Sequence, residues 1–113
     1  MNYEEFNDLQ NVVDESNPLV KGFKLPTGEI FFIEPAFYTQ LSNFKELYNL
    51  EDHKRIIDLM LKLAKERKQV IYTYDYENPW FTKEGFIHLE FIDLADYLHI
   101  DIEDKSRGSD YGD

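Results

Sequence analysis

Cysteine is missing from this 113-residue chain, which excludes disulfides, thiolate metal sites and a cysteine nucleophile together. Glycine is sparse, and the 5 that occur are scattered, so no phosphate-cradling loop is written into the chain. None of Ser16, Ser42, Ser106 and Ser109 sits in a Gly-x-Ser-x-Gly elbow, so no serine nucleophile is marked. Long apolar runs are absent too: nothing approaches the roughly 18 residues of a membrane span. The opening Met1-Asn2-Tyr3-Glu4-Glu5 has neither the basic start nor the apolar run of a signal peptide. The expectation is a soluble cytoplasmic protein that needs no cofactor.

Basic residues are scarce at both ends. Residues 1–17 carry 5 acids and no base, residues 18–50 carry 3 of each, residues 51–68 carry 4 acids and 6 bases, and residues 69–113 carry 11 acids and 3 bases. A field of this sign repels nucleic acid and anionic lipid and attracts a basic protein surface. Direct nucleic-acid binding is therefore not expected. The one basic cluster, Lys62 to Lys68, is explained as a helix carboxyl end.

Aromatic residues are abundant, with 9 Phe, 8 Tyr and 1 Trp, which separates this chain from disordered acidic segments. Its length suits one globular domain, expected over residues 1–100, with an acidic tail over 101–113.

Along the chain, Phe6, Leu9 and Val13 recur at helical spacing behind an Asn2 cap, predicting a helix over 3–15 that Asn17-Pro18 stops. Residues 19–34 read as a β-hairpin turned at Pro26-Thr27-Gly28. Phe37, Leu41, Phe44 and Tyr48 predict a helix over 35–48. Ile56, Met60, Leu63 and Ala64 predict another over 50–67, with Asn49 as cap. Glu51 with Arg55 and Asp58 with Lys62 would form acid-before-base pairs on it. Residues 70–76 read as a strand, with Val70, Tyr72, Tyr74 and Tyr76 on one side. Residues 85–91 fit a further strand, followed by a helix over 92–99. The expected fold class is α+β: a small antiparallel sheet of three to four strands packed on one face by three to four helices.

Two constellations bear on function. His99, Asp101, Glu103 and Asp104, with His88, Glu90 and Asp93, offer donors for a divalent ion, but the offsets of a calcium loop fail and an acidic tail explains them as well. Trp80 follows Asn78-Pro79 in a turn, and Trp and Tyr dominate binding hot spots because they bury large areas at small entropic cost. The leading expectation is a non-enzymatic inhibitor that docks on a basic, nucleic-acid-binding surface of a partner protein. Phage-encoded antagonists and nuclease-immunity proteins share this size and charge range. Tyr74, Tyr76 and Trp80 would be its anchors, and the carboxylates of Glu90, Asp93, Asp96, Asp101, Glu103 and Asp104 would stand in for phosphates. The rivals are a non-catalytic accessory subunit and a metal-dependent enzyme using His88 and His99.

With no closed ligand set in view, the fold should not depend on metal. Excess chelator is expected to leave the thermal unfolding midpoint unchanged; a drop of several degrees would reveal a structural ion.

Overall fold

The run Ile30-Phe31-Phe32-Ile33 has no polar residue to turn towards water, so a strand built from it must be covered on both faces. That is its position in the computed structural model, which describes residues 8–47 and 50–100. Strand β3 (Ile30–Ile33) is the middle of a five-stranded sheet of order β1-β2-β3-β4-β5. Strands β1 (Gln10–Val13) and β2 (Lys21–Lys24) pair antiparallel on one side of it, and β4 (Val70–Tyr72) and β5 (Ile87–Leu89) run parallel to it on the other. Helices α1 (Pro35–Leu47) and α2 (Leu50–Lys65) form the crossover between β3 and β4, and α3 (Phe91–Tyr97) follows β5.

The class is α+β, but the sheet is mixed rather than antiparallel. The sequence shows no alternation of strand and helix because two helices together form one crossover, and the crossover makes β3 and β4 parallel. The hairpin forms as predicted, with the Leu25 carbonyl accepting from Gly28 N at 2.9 Å and Gly28 in the positive-φ region that suits glycine. The strand predicted over 70–76 ends at Tyr72, where the chain leaves the sheet.

The helix predicted over 3–15 is corrected in its second half; residues 3–7 lie outside the described residues. Gln10–Val13 is an edge strand in register with β2, with Val12 opposite Gly22 and Val13 opposite Lys21. Unpaired backbone donors on β2 outweigh a local periodicity that any short apolar pattern can mimic. Val13, expected in the core, is 68% exposed, whereas Leu9 is buried. Asp14 then accepts hydrogen bonds from Ser16 N and Oγ, a local turn that competes with helix.

Alternation along β3 divides the interior in two. Phe31 and Ile33 join Val70, Tyr72 and the buried stripes of all three helices. An aromatic chain connects these layers: Phe31 meets Tyr72 edge-on at 5.8 Å, Tyr72 lies 5.2 Å from Phe37, and Phe91 lies 5.8 Å from Phe37 and 5.1 Å from Phe44. Burial pushes the Tyr72 hydroxyl far above its ordinary pKa, so it stays protonated. On the opposite face Phe32 and Ile71 pack with Val20, Phe81 and Phe86, so the connection between β4 and β5 covers the side the helices leave open.

In α2 the buried stripe is Ile56, Ile57, Met60, Leu61 and Ala64, with Leu63 only partly covered. On this helix Arg55 pairs with Asp52 at 3.1 Å, and it also donates to the Leu98 carbonyl just past α3. His53, buried in the same helix, is held below its ordinary value of 6.5, first by burial and then by the charge of Lys45. The predicted cap Asn49 and Tyr48 lie outside the described residues. Both α2 and α3 end with a residue in the left-handed region, Arg67 and His99, whose neighbours close the carboxyl turn: Lys68 N donates to Leu63 O and Ile100 N to Ala95 O. No helix among the described residues is long and apolar enough to cross a membrane.

Gly22 lies opposite Phe32, and a Cβ there would stand 2.6 Å from the Val12 carbonyl oxygen and 2.8 Å from the Phe32 ring. Gly22→Ala is expected to lower stability by about 1–3 kcal/mol in urea unfolding, the usual cost of overpacking. An unchanged midpoint would mean that β1 is not held against β2 at this distance.

Candidate functional site

Three parallel strands end side by side, and the residue after each is polar and buried: Glu34 after β3, Thr73 after β4 and Glu90 after β5. In open sheets with parallel strands, the region beyond the carboxyl ends is where binding sites form, because the chain diverges there. Here the three polar residues organise the connection from Thr73 to Phe86.

The Thr73 hydroxyl donates to Glu34 Oε1 at 2.8 Å, and the backbone N–H of Phe81 donates to Glu34 Oε2 at 3.1 Å. Glu90 Oε2 accepts from the N–H of Tyr76 at 3.1 Å. Within the loop, Asp75 accepts from Glu77 N at 3.0 Å and from the Asn78 amide at 3.2 Å, which closes a turn ahead of Pro79. The Phe81 carbonyl accepts from Nε2–H of His88 at 2.9 Å, which fixes that tautomer. Asn17 donates to the Trp80 carbonyl at 3.3 Å, and Lys83 pairs with Asp14 at 3.0 Å. Hydrogen bonds from Ser16 and then from Lys83 hold the Asp14 carboxyl down at about 2, so this tie persists until the pH falls towards that value.

The loop is thus tied at Thr73, Tyr76, Trp80, Phe81 and Lys83, and between the ties its aromatic side chains face water. Trp80 is 61% exposed, and Tyr74 and Tyr76 are exposed beside it in sequence. The alternation proposed for 70–76 ends where the strand ends: Tyr72 is core, while Tyr74 and Tyr76 belong to the loop. Leu19, 66% exposed, lies two residues from the Asn17 that bonds the Trp80 carbonyl, and Val13 precedes the Asp14 that pairs with Lys83. Three large exposed apolar side chains therefore belong to segments joined at one seam. Val13 was not anticipated, because its exposure depends on β1 being an edge strand and not a helix; Leu19 lies in the connection between β1 and β2.

The carboxylates named from the sequence divide into three groups. Glu90 is only 8% exposed, and with Asp93 it forms the capping box of α3, Asp93 accepting from Glu90 N at 2.8 Å. Asp93 is half-buried and Asp96 exposed. Asp101, Glu103 and Asp104 lie outside the described residues. Glu34 and Thr73 carry the loop and were not singled out, although each is the polar residue that closes an apolar strand.

Beside the loop lies an open groove of about 470 Å³ between Tyr74–Glu77, Gln40 of α1 and the start of α3 at Ile92 and Asp93. Among the described residues, no group of three or more His, Asp or Glu side chains is arranged to hold a metal ion. The His88 imidazole is engaged by the Phe81 carbonyl, whereas His99 is exposed in the carboxyl turn of α3, its backbone N–H donating to the Asp96 carbonyl. Against protein-family models, curated proteins and solved structures, the chain finds no match.

Glu34→Ala removes the acceptor of two buried donors, each costing about 1–3 kcal/mol when left unpaired. The variant is expected to lose about 2 kcal/mol or more of unfolding free energy. Trp80 is the only tryptophan, so its anisotropy decay should also show a looser loop. Unchanged anisotropy would mean that Glu34 does not hold it.

Proposed function

We propose that this protein is a small acidic inhibitor that docks on a basic, nucleic-acid-handling surface of another protein and blocks it by occupying it. The observation that carries this reading is Trp80: a large apolar side chain kept in water on a loop tied down on both sides of it. Exposed indole is unfavourable in the free protein and becomes favourable once a partner covers it. Because the loop is already ordered, docking does not have to order it again, which removes part of the entropic cost of association.

Charge supports the same reading. Residues 73–100 carry 6 acids and 1 base, and that one base, Lys83, is engaged with Asp14. A basic surface would be drawn towards this segment, Asp96 included, and the sequence that follows adds the carboxylates of Asp101, Glu103 and Asp104. Phage-encoded antagonists and nuclease-immunity proteins act in this way, by steric cover and charge and not by chemistry.

The experiment is to capture the partner from a native lysate, identify it by mass spectrometry, and measure its association with the full chain. Trp80→Ala should weaken binding by about 2 kcal/mol or more, the scale of a hot spot, while leaving the thermal midpoint unchanged. Association should slow several-fold between low salt and about 0.5 M, where screening reaches only a few Å. Binding that ignores both Trp80 and salt would leave the acidity as a solubility device and end the inhibitor reading.

A further inference from the structure

We infer that the groove beside the aromatic loop receives an arginine side chain from a basic segment of the partner. This rests on the inhibitor reading for the partner's existence, but the groove's own chemistry selects the side chain.

Asp75, Glu77, Glu90 and Asp93 all line the groove, and no lysine or arginine does. Each of these carboxylates except Glu77 already accepts a hydrogen bond from the backbone, which fixes its position. A carboxylate has about four lone-pair sites, so the bonds to Asp75 and Asp93 do not exhaust their capacity to accept, and Glu77 is exposed. Gln40 lines the groove as well, and its Oε1 is a buried acceptor with no hydrogen-bond partner among the described residues. The wall chemistry therefore asks for a ligand that is positively charged and rich in donors.

The two tyrosines narrow the choice. Elsewhere in this protein a tyrosine ring already carries a cation: Lys21 Nζ lies 4.7 Å from the Tyr38 ring centre, and Lys62 Nζ lies 5.9 Å from that of Tyr97. Tyr74 and Tyr76 have no such partner among the described residues, and both line the groove. A planar guanidinium can lie against an aromatic face while its five N–H groups reach carboxylates around its own edge. An ammonium is a strongly hydrated point charge and can satisfy only part of that arrangement. At about 470 Å³ the groove has room for the side chain and the backbone that presents it. A phosphate or an acidic peptide would meet four carboxylates and is excluded by repulsion.

The test uses the full chain and a capped pentapeptide, Gly-Gly-Arg-Gly-Gly, with citrulline and lysine versions as comparisons. Binding is followed by NMR shifts of the protein. The arginine peptide should move the signals of Gln40, Tyr74, Tyr76 and Ile92 with a dissociation constant on the order of millimolar. The lysine peptide should bind more weakly, and the neutral citrulline peptide should not bind. Tyr76→Ala and Glu77→Gln change exposed side chains and should each weaken the arginine peptide about threefold or more. Equal binding of the citrulline peptide, or shifts confined to other surfaces, would overturn the inference. The same two variants against the captured partner separate the two readings. Partner binding that needs Trp80 but neither groove residue would keep the inhibitor and discard the groove, whereas indifference to all three would discard both.

Discussion

Glu34 is the residue on which the arrangement depends. Its backbone N–H donates to the Tyr72 carbonyl at 2.9 Å, its own carbonyl receives Tyr38 N in the first turn of α1, and its carboxylate accepts from Thr73 and Phe81. One residue thus joins the end of β3, the start of α1, the end of β4 and the loop beyond it. Its side chain is 2% exposed, and a carboxylate so enclosed is tolerated because good donors surround it. Removing a donor would leave a buried acceptor unpaired, which ties the strand ends to the loop in one polar unit.

The loop's position also follows from the two-sided core. Parallel pairing with β4 places the apolar strands β3 and β4 inside the sheet, where water must be kept from both faces. Three helices supply one cover. The other comes from Phe81 and Phe86, against Phe32 and Ile71, with Phe32 5.1 Å from Phe81 and 5.7 Å from Phe86. The connection between β4 and β5 is therefore both a lid on the core and the carrier of Trp80. Phe81 points inwards and anchors it, while Trp80, one residue earlier, faces water.

Such a loop suits a proposed role in recognition. Binding residues are more often on loops than on regular elements, but a floppy loop loses affinity to its own ordering. Here buried carboxylates, a histidine and a seam with the β1–β2 turn hold the backbone, leaving the aromatic side chains to meet a partner. The capping box that starts α3 uses two of the four acids that line the groove, Glu90 and Asp93, so part of the negative charge there also serves the fold.

Periodicity and turn chemistry were sufficient for much of the chain. The hairpin through Pro26-Thr27-Gly28, both long helices and the change from strand to helix near residue 90 follow from spacing and local conformational preference, which act over a few residues. Trp80 and its tyrosines were legible as candidates because composition marks them. Strand order was decided only in three dimensions, since a parallel pairing between β3 and β4 joins segments separated by two helices and leaves no local signature. The same holds for β1, where an open edge on β2 captured a segment with helical spacing and so exposed Val13. Glu34, Thr73 and Glu90 look like ordinary surface polar residues in the sequence. Their burial arises because three strand ends meet, and a desolvated polar group is recognisable only once the groups that desolvate it are in place.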